Sequence, residues 1–222
     1  VRVRVIFVGD VVGGVGMRAL LSRLPELREQ HRPDLVVVNA ENAAAGAGTS
    51  PRQARDLLDA GVDVLTGGNH TLQKAEIYGT LESEPRMLRP ANIAVRAPGR
   101  GLTTVDTAAG PVSVINVMGA VFLTAAHSPF AVIDDLVEEA RGAADIVLVD
   151  IHAEATSEKI ALAHHLTGRV TPVVGTHTPV PTAHARIHGY APASVTDPAL
   201  TGPPAPVIAV RATLAPPPSR IH

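Results

Sequence analysis

Residues 35–42 read LVVVNAEN. The apolar run from Leu35 to Val38 is too short for a helix and shows no polar alternation, so it reads as a strand of a sheet covered on both faces. It then stops abruptly at Asn39-Ala40-Glu41-Asn42, and the same switch recurs along the chain. Residues 3–9 lead into Gly9-Asp10, 62–66 into Gly67-Gly68-Asn69-His70, 145–151 into Asp150-Ile151-His152, and 170–175 into Gly175-Thr176-His177. Stretches with helical spacing lie between these runs, at 17–30, at 51–60 with Pro51 in the first turn, at 131–142 and at 156–166. This alternation predicts an α/β fold. A hairpin is expected from 102–107 and 112–117 around Ala109-Gly110, and the apolar run at 206–214 reads as an edge strand. The 222 residues suit a single domain over 1–215, with 216–222 expected to be a flexible tail.

Composition narrows the function classes. Hydrophobic residues make up 45% of the chain but aromatics only 2%, so platforms for stacking single-stranded nucleic acid are not expected. A net charge of -2 implies no basic face able to track a long phosphate backbone, although a small nucleotide remains possible. The chain contains no cysteine, which rules out disulfides and thiolate metal sites and leaves His, Asp, Glu and Asn as possible ligands. The run Val1-Arg2-Val3-Arg4-Val5-Ile6-Phe7-Val8 is broken by two arginines and reads as a strand, not as a signal or a membrane span. A cytoplasmic location is expected.

Ligands of open α/β sheets bind at the carboxyl ends of the strands. Five such ends place Asp10, Glu41, Asn42, Asn69, His70, His152 and His177 on what reads as one sheet edge. Taken singly, Asp10 could close a turn, Glu41 and Asn42 could cap a loop, and a strand-end histidine is commonly a hydrogen-bonded structural residue. Their coincidence points to a cation, and carboxylate and amide oxygens mixed with imidazoles suit Mn, Fe, Zn or Mg. Asp150 reads as backbone support for His152. Arg89 and Asn92 of LRPAN are candidates for a substrate phosphate or simply parts of a turn. Glu158 and Lys159, with Thr156 and Ser157, read as local helix initiation. His31, His127 and His222 read as surface residues, and of His164 and His165 at most one points at the site.

The segments GDVVGGVG (9–16), NAENAAAGAG (39–48), GGNHT (67–71), RPAN (89–92), DIHAEATSEK (150–159) and VVGTHT (173–178) together resemble the YmdB-like branch of the calcineurin-like metallophosphoesterases, from residue 3 to about 187. The resemblance implies a layered αββα sandwich, a homo-oligomeric tendency, and a phosphodiesterase acting on small phosphodiesters such as 2′,3′-cyclic nucleotides. It implies one or two divalent ions, Mn or Fe. Glu41 would bridge the metals, Asn69, His152 and His177 would complete one site, Asp10 and Asn42 would serve the other, and His70 would protonate the leaving oxygen. Two cations held close together clamp a phosphate and lower the pKa of a bridging water, and an imidazole then serves the departing alkoxide.

The chain departs from the family pattern at a ligand of the second metal, the one otherwise held by Asp10 and Asn42, and at several other positions. The family reads His-Thr-His where this chain has His177-Thr178-Pro179, and Thr-Ala-Asp where it has Thr182-Ala183-His184. His184 and His188 are the conceivable substitutes for the missing imidazole. Leu72-Gln73, Met118 and Ala120 also depart from the pattern, and a segment is deleted between Gly202 and Val207. The same residues therefore permit a catalytically impaired relative that acts as a regulatory or binding module with one metal or none. A dinucleotide-binding oxidoreductase is a weaker rival. Gly9, Gly13, Gly14 and Gly16 do not form G-x-G-x-x-G, and that reading leaves Asn69, His70, His152 and His177 without a role.

Overall fold

The apolar runs form strands and the amphipathic stretches form helices, in the order β1 (Val3–Val8), α1 (Gly13–His31), β2 (Leu35–Asn39), α2 (Pro51–Asp59), β3 (Val64–Thr66), α3 (Tyr78–Ser83), β4 (Leu102–Thr107), β5 (Gly110–Met118), α4 (Ile133–Ala143), β6 (Ile146–His152), α5 (Thr156–His165), β7 (Pro172–Thr176), β8 (Ala185–Ile187), β9 (Ala193–Val195) and β10 (Ala209–Leu214). This computed structural model describes residues 2–94, 96–123, 127–178, 185–187, 193–195, 201 and 209–216. Pro179, His184, His188, His222 and the tail 217–222 lie outside the described residues.

The strands form two sheets, β10-β1-β2-β3 and β4-β5-β6-β7-β9-β8. β1, β2 and β3 run parallel, as do β5, β6 and β7, while β10 and β4 pair antiparallel at the edges. Successive side chains on a strand point to opposite faces, which assigns the layers. Val3, Val5, Phe7, Leu35 and Val37 pack against Val112, Val114, Ile146, Leu148 and Val174 between the sheets. On the outer faces, Ile6, Val8, Val36 and Val38 meet Leu20 and Leu24 of α1 and Ala54 and Leu57 of α2. Ile115, Val117, Val147 and Val149 meet Val137 of α4 and Leu162 of α5. The result is the αββα sandwich.

The inner faces change character toward the carboxyl ends of the parallel strands. Leu35 and Val37 give way to Asn39, Val112 and Val114 to Asn116, Ile146 and Leu148 to Asp150 and His152, and Val174 to Thr176, and all of these residues are buried. Buried polar groups need partners. Asn39 Nδ2 donates to Asp150 Oδ2 at 3.1 Å and to Thr176 Oγ1 at 3.3 Å, and the Gly67 N–H donates to Asn116 Oδ1 at 3.0 Å. These bonds lock the two sheets together beneath the loops that follow.

Local capping chemistry is plain at α2. α2 begins with a capping box in which Ser50 Oγ accepts from the Gln53 N–H and Gln53 Oε1 accepts from the Ser50 N–H, and Pro51 occupies the first turn. α1 starts four residues before the expected boundary and continues through Pro25. Its first turn packs so closely that a Cβ on Gly16 would fall on the Thr201 carbonyl oxygen, a tertiary fit invisible to helical spacing. α3, β8 and β9 were not expected, because YGTLES, ARI and ASV are short and carry neither a continuous apolar run nor a helical period. The apolar run at 206–214 does supply an edge strand, β10, paired with β1.

Candidate metal centre

All seven residues singled out in the sequence meet above the polar floor, but they do not share one sheet edge. Asp10, Glu41, Asn42, Asn69 and His70 follow β1, β2 and β3 of the smaller sheet, whereas His152 ends β6 and His177 follows β7 of the larger one. Apolar runs mark strands without saying which sheet each joins. The centre therefore lies between the sheets, and groups from both converge on it.

His152 is wholly buried, and its surroundings fix its tautomer. The Thr176 hydroxyl donates to Asp150 Oδ1 at 2.8 Å, so Thr176 Oγ1 accepts from His152 Nδ1 at 3.0 Å and that nitrogen carries the proton. Asp150 thus supports His152 through Thr176. His152 Nε2 then faces Asn69 Oδ1 at 3.0 Å, His177 Nδ1 at 3.0 Å and Glu41 Oε1 at 3.4 Å. His177 is fixed in the same way, because its Nε2 donates to Glu154 Oε2 at 2.8 Å and leaves Nδ1 with a lone pair. The ligand atoms of Glu41, His152 and His177 all lie within 4.8 Å of one another. With Asn69 Oδ1, four lone-pair donors surround one point. Such an arrangement is repulsive unless a cation, either a proton or a metal, sits among them.

In the metal-free protein a proton takes that place. Burial opposes charge on His152, yet Glu41, Asp10 and Asp150 lift it to about 9. Burial and the neighbouring His152 hold His177 below its ordinary value. Burial also opposes charge on Glu41, but His152 and hydrogen bonds from His152 and His70 hold its carboxyl well below the usual range. Asp10 is pushed up to about 7 by burial and by Glu41 and Asp150, although His152 and the His177 N–H act in the other direction. Its Oδ1 is buried with no hydrogen-bond partner among the described residues.

These directions fix a pH dependence. A raised histidine contributes stability below its unfolded value of 6.5 and loses it as pH climbs through about 9, and Asp10 loses its contribution through about 7. Glu41 and His177 are depressed, so their opposite contributions change below about pH 6.5. The chelator-treated protein is therefore expected to melt at progressively lower temperature from about pH 6.5 to 9. Added Mn²⁺ displaces the protons, so its stabilising increment should grow over the same window. Thermal melts with EDTA and with Mn²⁺ check both signs.

His70 sits at the mouth, its side chain 26% exposed. Asn42 Nδ2 donates to Glu41 Oε1 at 2.6 Å and lies 3.5 Å from Asp10 Oδ2, so Asn42 Oδ1 faces His70 Nδ1 at 2.7 Å and His70 donates. The exchangeable proton is left to His70 Nε2. The hydrogen bond to Glu41 raises the His70 pKa, which favours the imidazolium. Gly68 lets the backbone pass beside this group, since a Cβ there would fall on the His152 ring and lie 2.6 Å from Glu41 Oε2.

Of the two readings open for Arg89 and Asn92 the structure favours the turn, and it corrects that of Glu158 and Lys159. Arg89 is 7% exposed and donates to the carbonyls of Pro90, Ala91, Ile93, Ala97 and Pro98, so it folds its own loop. Asn92 joins Met118 to His127 through backbone bonds and is likewise spent on structure. Glu158 and Lys159 do not cap α5. Its N-cap is Ala155, Glu158 accepts from the N–H groups of Ala120 and Val121, and Lys159 reaches Thr178. His165 pairs with Asp134 at 2.8 Å, on the surface. Thr176 and Glu154, which orient the two imidazoles, were not singled out in the sequence, because orienting partners have no spacing rule of their own.

A layered α/β sandwich with carboxylate, amide and imidazole groups converging between its sheets defines a metallophosphoesterase-like protein. The family model described as YmdB-like protein matches residues 6–215. The chain is 40% identical over 200 residues to the 2′,3′-cyclic-nucleotide 2′-phosphodiesterase of Bacillus subtilis, covering 90% of this chain and 76% of that protein. Among solved structures, a hypothetical protein from Thermus thermophilus superposes with a TM-score of 0.84 at 44% identity, covering 90% of this chain and 77% of that one. A Mycoplasma pneumoniae phosphatase follows at 0.82 and 34%, covering 90% and 73%. The chain belongs to the YmdB-like family of metallophosphoesterases, which implies use of a divalent metal. No helix among the described residues is long and apolar enough to cross a membrane.

Proposed function

We propose that the chain is a metal-dependent phosphodiesterase acting on small phosphodiesters such as 2′,3′-cyclic nucleotides, in a homo-oligomer as the family resemblance implies and in the cytoplasm as the cysteine-free composition suggests. The observation that carries this reading is the set of four lone pairs, on Glu41, Asn69, His152 and His177, aimed at one point. These residues would hold one cation, with Mn or Fe suiting the mixed oxygen and nitrogen donors. Asp10 and Asn42 would support a second. Bound divalent cations supply phosphoryl polarisation and a water acidic enough to attack near neutral pH. The chain's own groups do the rest. Thr176 and Glu154 keep the lone pairs of His152 and His177 pointed inward, and Glu41 balances their charge. His70, primed toward the imidazolium by Glu41, gives its Nε2 proton to the departing alkoxide.

A second reading, an impaired relative acting as a binding or regulatory module with one cation, is favoured by the region around Asp10. Pro179 stands where the resemblance places an imidazole, and Asn42 turns its amide nitrogen toward Asp10 and Glu41, keeping its oxygen on His70. Mn²⁺ binding measured beside turnover of bis-p-nitrophenyl phosphate and 2′,3′-cyclic AMP separates the readings. The enzyme reading expects one tight Mn²⁺ and turnover that rises in excess Mn²⁺. Pro179→His should then restore a second tight cation and raise turnover at low Mn²⁺ by about 10-fold, a direct ligand being worth at least what an outer partner is. One cation with a rate equal to buffer at any Mn²⁺ concentration establishes the module. A chain that binds no cation defeats both.

A further inference from the structure

His177 has φ +96°, a conformation that a residue with a side chain rarely adopts and that persists only where its surroundings impose it. Its two neighbours are both tethered. On one side Thr176 donates its hydroxyl to the buried Asp150 carboxylate at 2.8 Å. On the other, Thr178 Oγ1 accepts from Lys159 Nζ at 3.0 Å. Lys159 is 1% exposed and ranks among the largest wholly buried side chains, an expensive placement for an ammonium. It projects from α5, the helix that follows the His152 strand, so one helix and one strand grip the chain either side of the strained histidine. In sequence Lys159 resembles a helix-start residue, and neither the metal nor the acid step uses it.

We propose that Lys159 is a positioning residue of the metal centre: through Thr178 it holds His177 in the left-handed conformation that turns Nδ1 toward His152 Nε2. The proposal rests on the metal site inferred above. Loss of the tether lets the backbone at 177 relax and swings Nδ1 away, while the other donors stay in place.

Co²⁺ titration followed by visible absorption, on the full chain and on Thr178→Val, Thr178→Ser and Lys159→Met, tests it. Thr178→Val and Lys159→Met should weaken Co²⁺ by about 10–100-fold, as removal of an orienting partner does, and Thr178→Ser should restore it. In a His177→Ala background the same changes should weaken Co²⁺ no further, because Lys159 acts only through that imidazole. An unchanged Co²⁺ affinity in Thr178→Val, or an equal loss in the His177→Ala background, overturns the proposal. Should Lys159→Met fail to fold, the Thr178 pair carries the test alone. A metal-free readout separates this proposal from the functional reading. The rings of His152 and His177, 4.8 Å apart, should show a nuclear Overhauser contact that Thr178→Val abolishes. If wild-type protein takes up no Co²⁺, the metal reading fails, and that ring contact decides the tether: its loss in Thr178→Val supports it and its retention overturns it.

Discussion

Replacing His70 by alanine should lower turnover by about 10²–10⁴-fold, the range that a positioned general acid contributes, while leaving the bound cation in place. The side chain lies at the rim, with Nδ1 committed to Asn42 Oδ1 and Nε2 left to exchange protons. It is not one of the four groups aimed at the common point, so metal content should be unaffected. Glu41 does accept the His70 backbone N–H at 3.0 Å, but that bond survives the substitution. The effect should also depend on the leaving group, because p-nitrophenolate departs without a proton whereas a ribose alkoxide needs one. Turnover of both substrates alongside metal analysis checks the assignment. Equal losses on both would place His70 in binding and not in proton transfer.

Glu41→Gln should have the largest effect of all. The carboxyl is 1% exposed and touches Asn42, His70 and His152, so the isosteric amide keeps the volume while removing the only charge that Glu41 offers the cation. Metal affinity should fall by more than the ~10–100-fold that outer partners are worth, and turnover should fall with it. A second consequence appears without metal. Glu41 is the leading attraction that lifts His152 to about 9, so the decline in melting temperature between about pH 6.5 and 9 should flatten in the variant. Isothermal titration with Mn²⁺ and melts in EDTA measure the two effects independently.

Much of this centre is legible in the sequence because catalytic chemistry at strand ends interrupts a hydrophobic pattern. LVVV followed by Asn39 and Glu41, and VLVD followed by His152, announce both a strand and a polar terminus, and the period of two places Asn39, Asp150 and His152 on inner faces. What stays hidden is relational. No local pattern tells that β2 and β6 belong to different sheets, that Thr176 sets the His152 tautomer, or that Lys159 reaches across to Thr178. Arg89 shows how the structure decides between two readings that the sequence leaves open. A lone arginine in a polar loop resembles a phosphate ligand until its donors are traced to five carbonyl oxygens of its own turn. Pro179 is the clearest departure from the family pattern in the sequence, and it lies outside the described residues.

The most direct measurement is anomalous diffraction at the manganese edge from crystals soaked in Mn²⁺. A peak bounded by Glu41 Oε1, Asn69 Oδ1, His152 Nε2 and His177 Nδ1 is the predicted result. Full soaking with no peak there, and those four groups still facing one another around a proton, would contradict it.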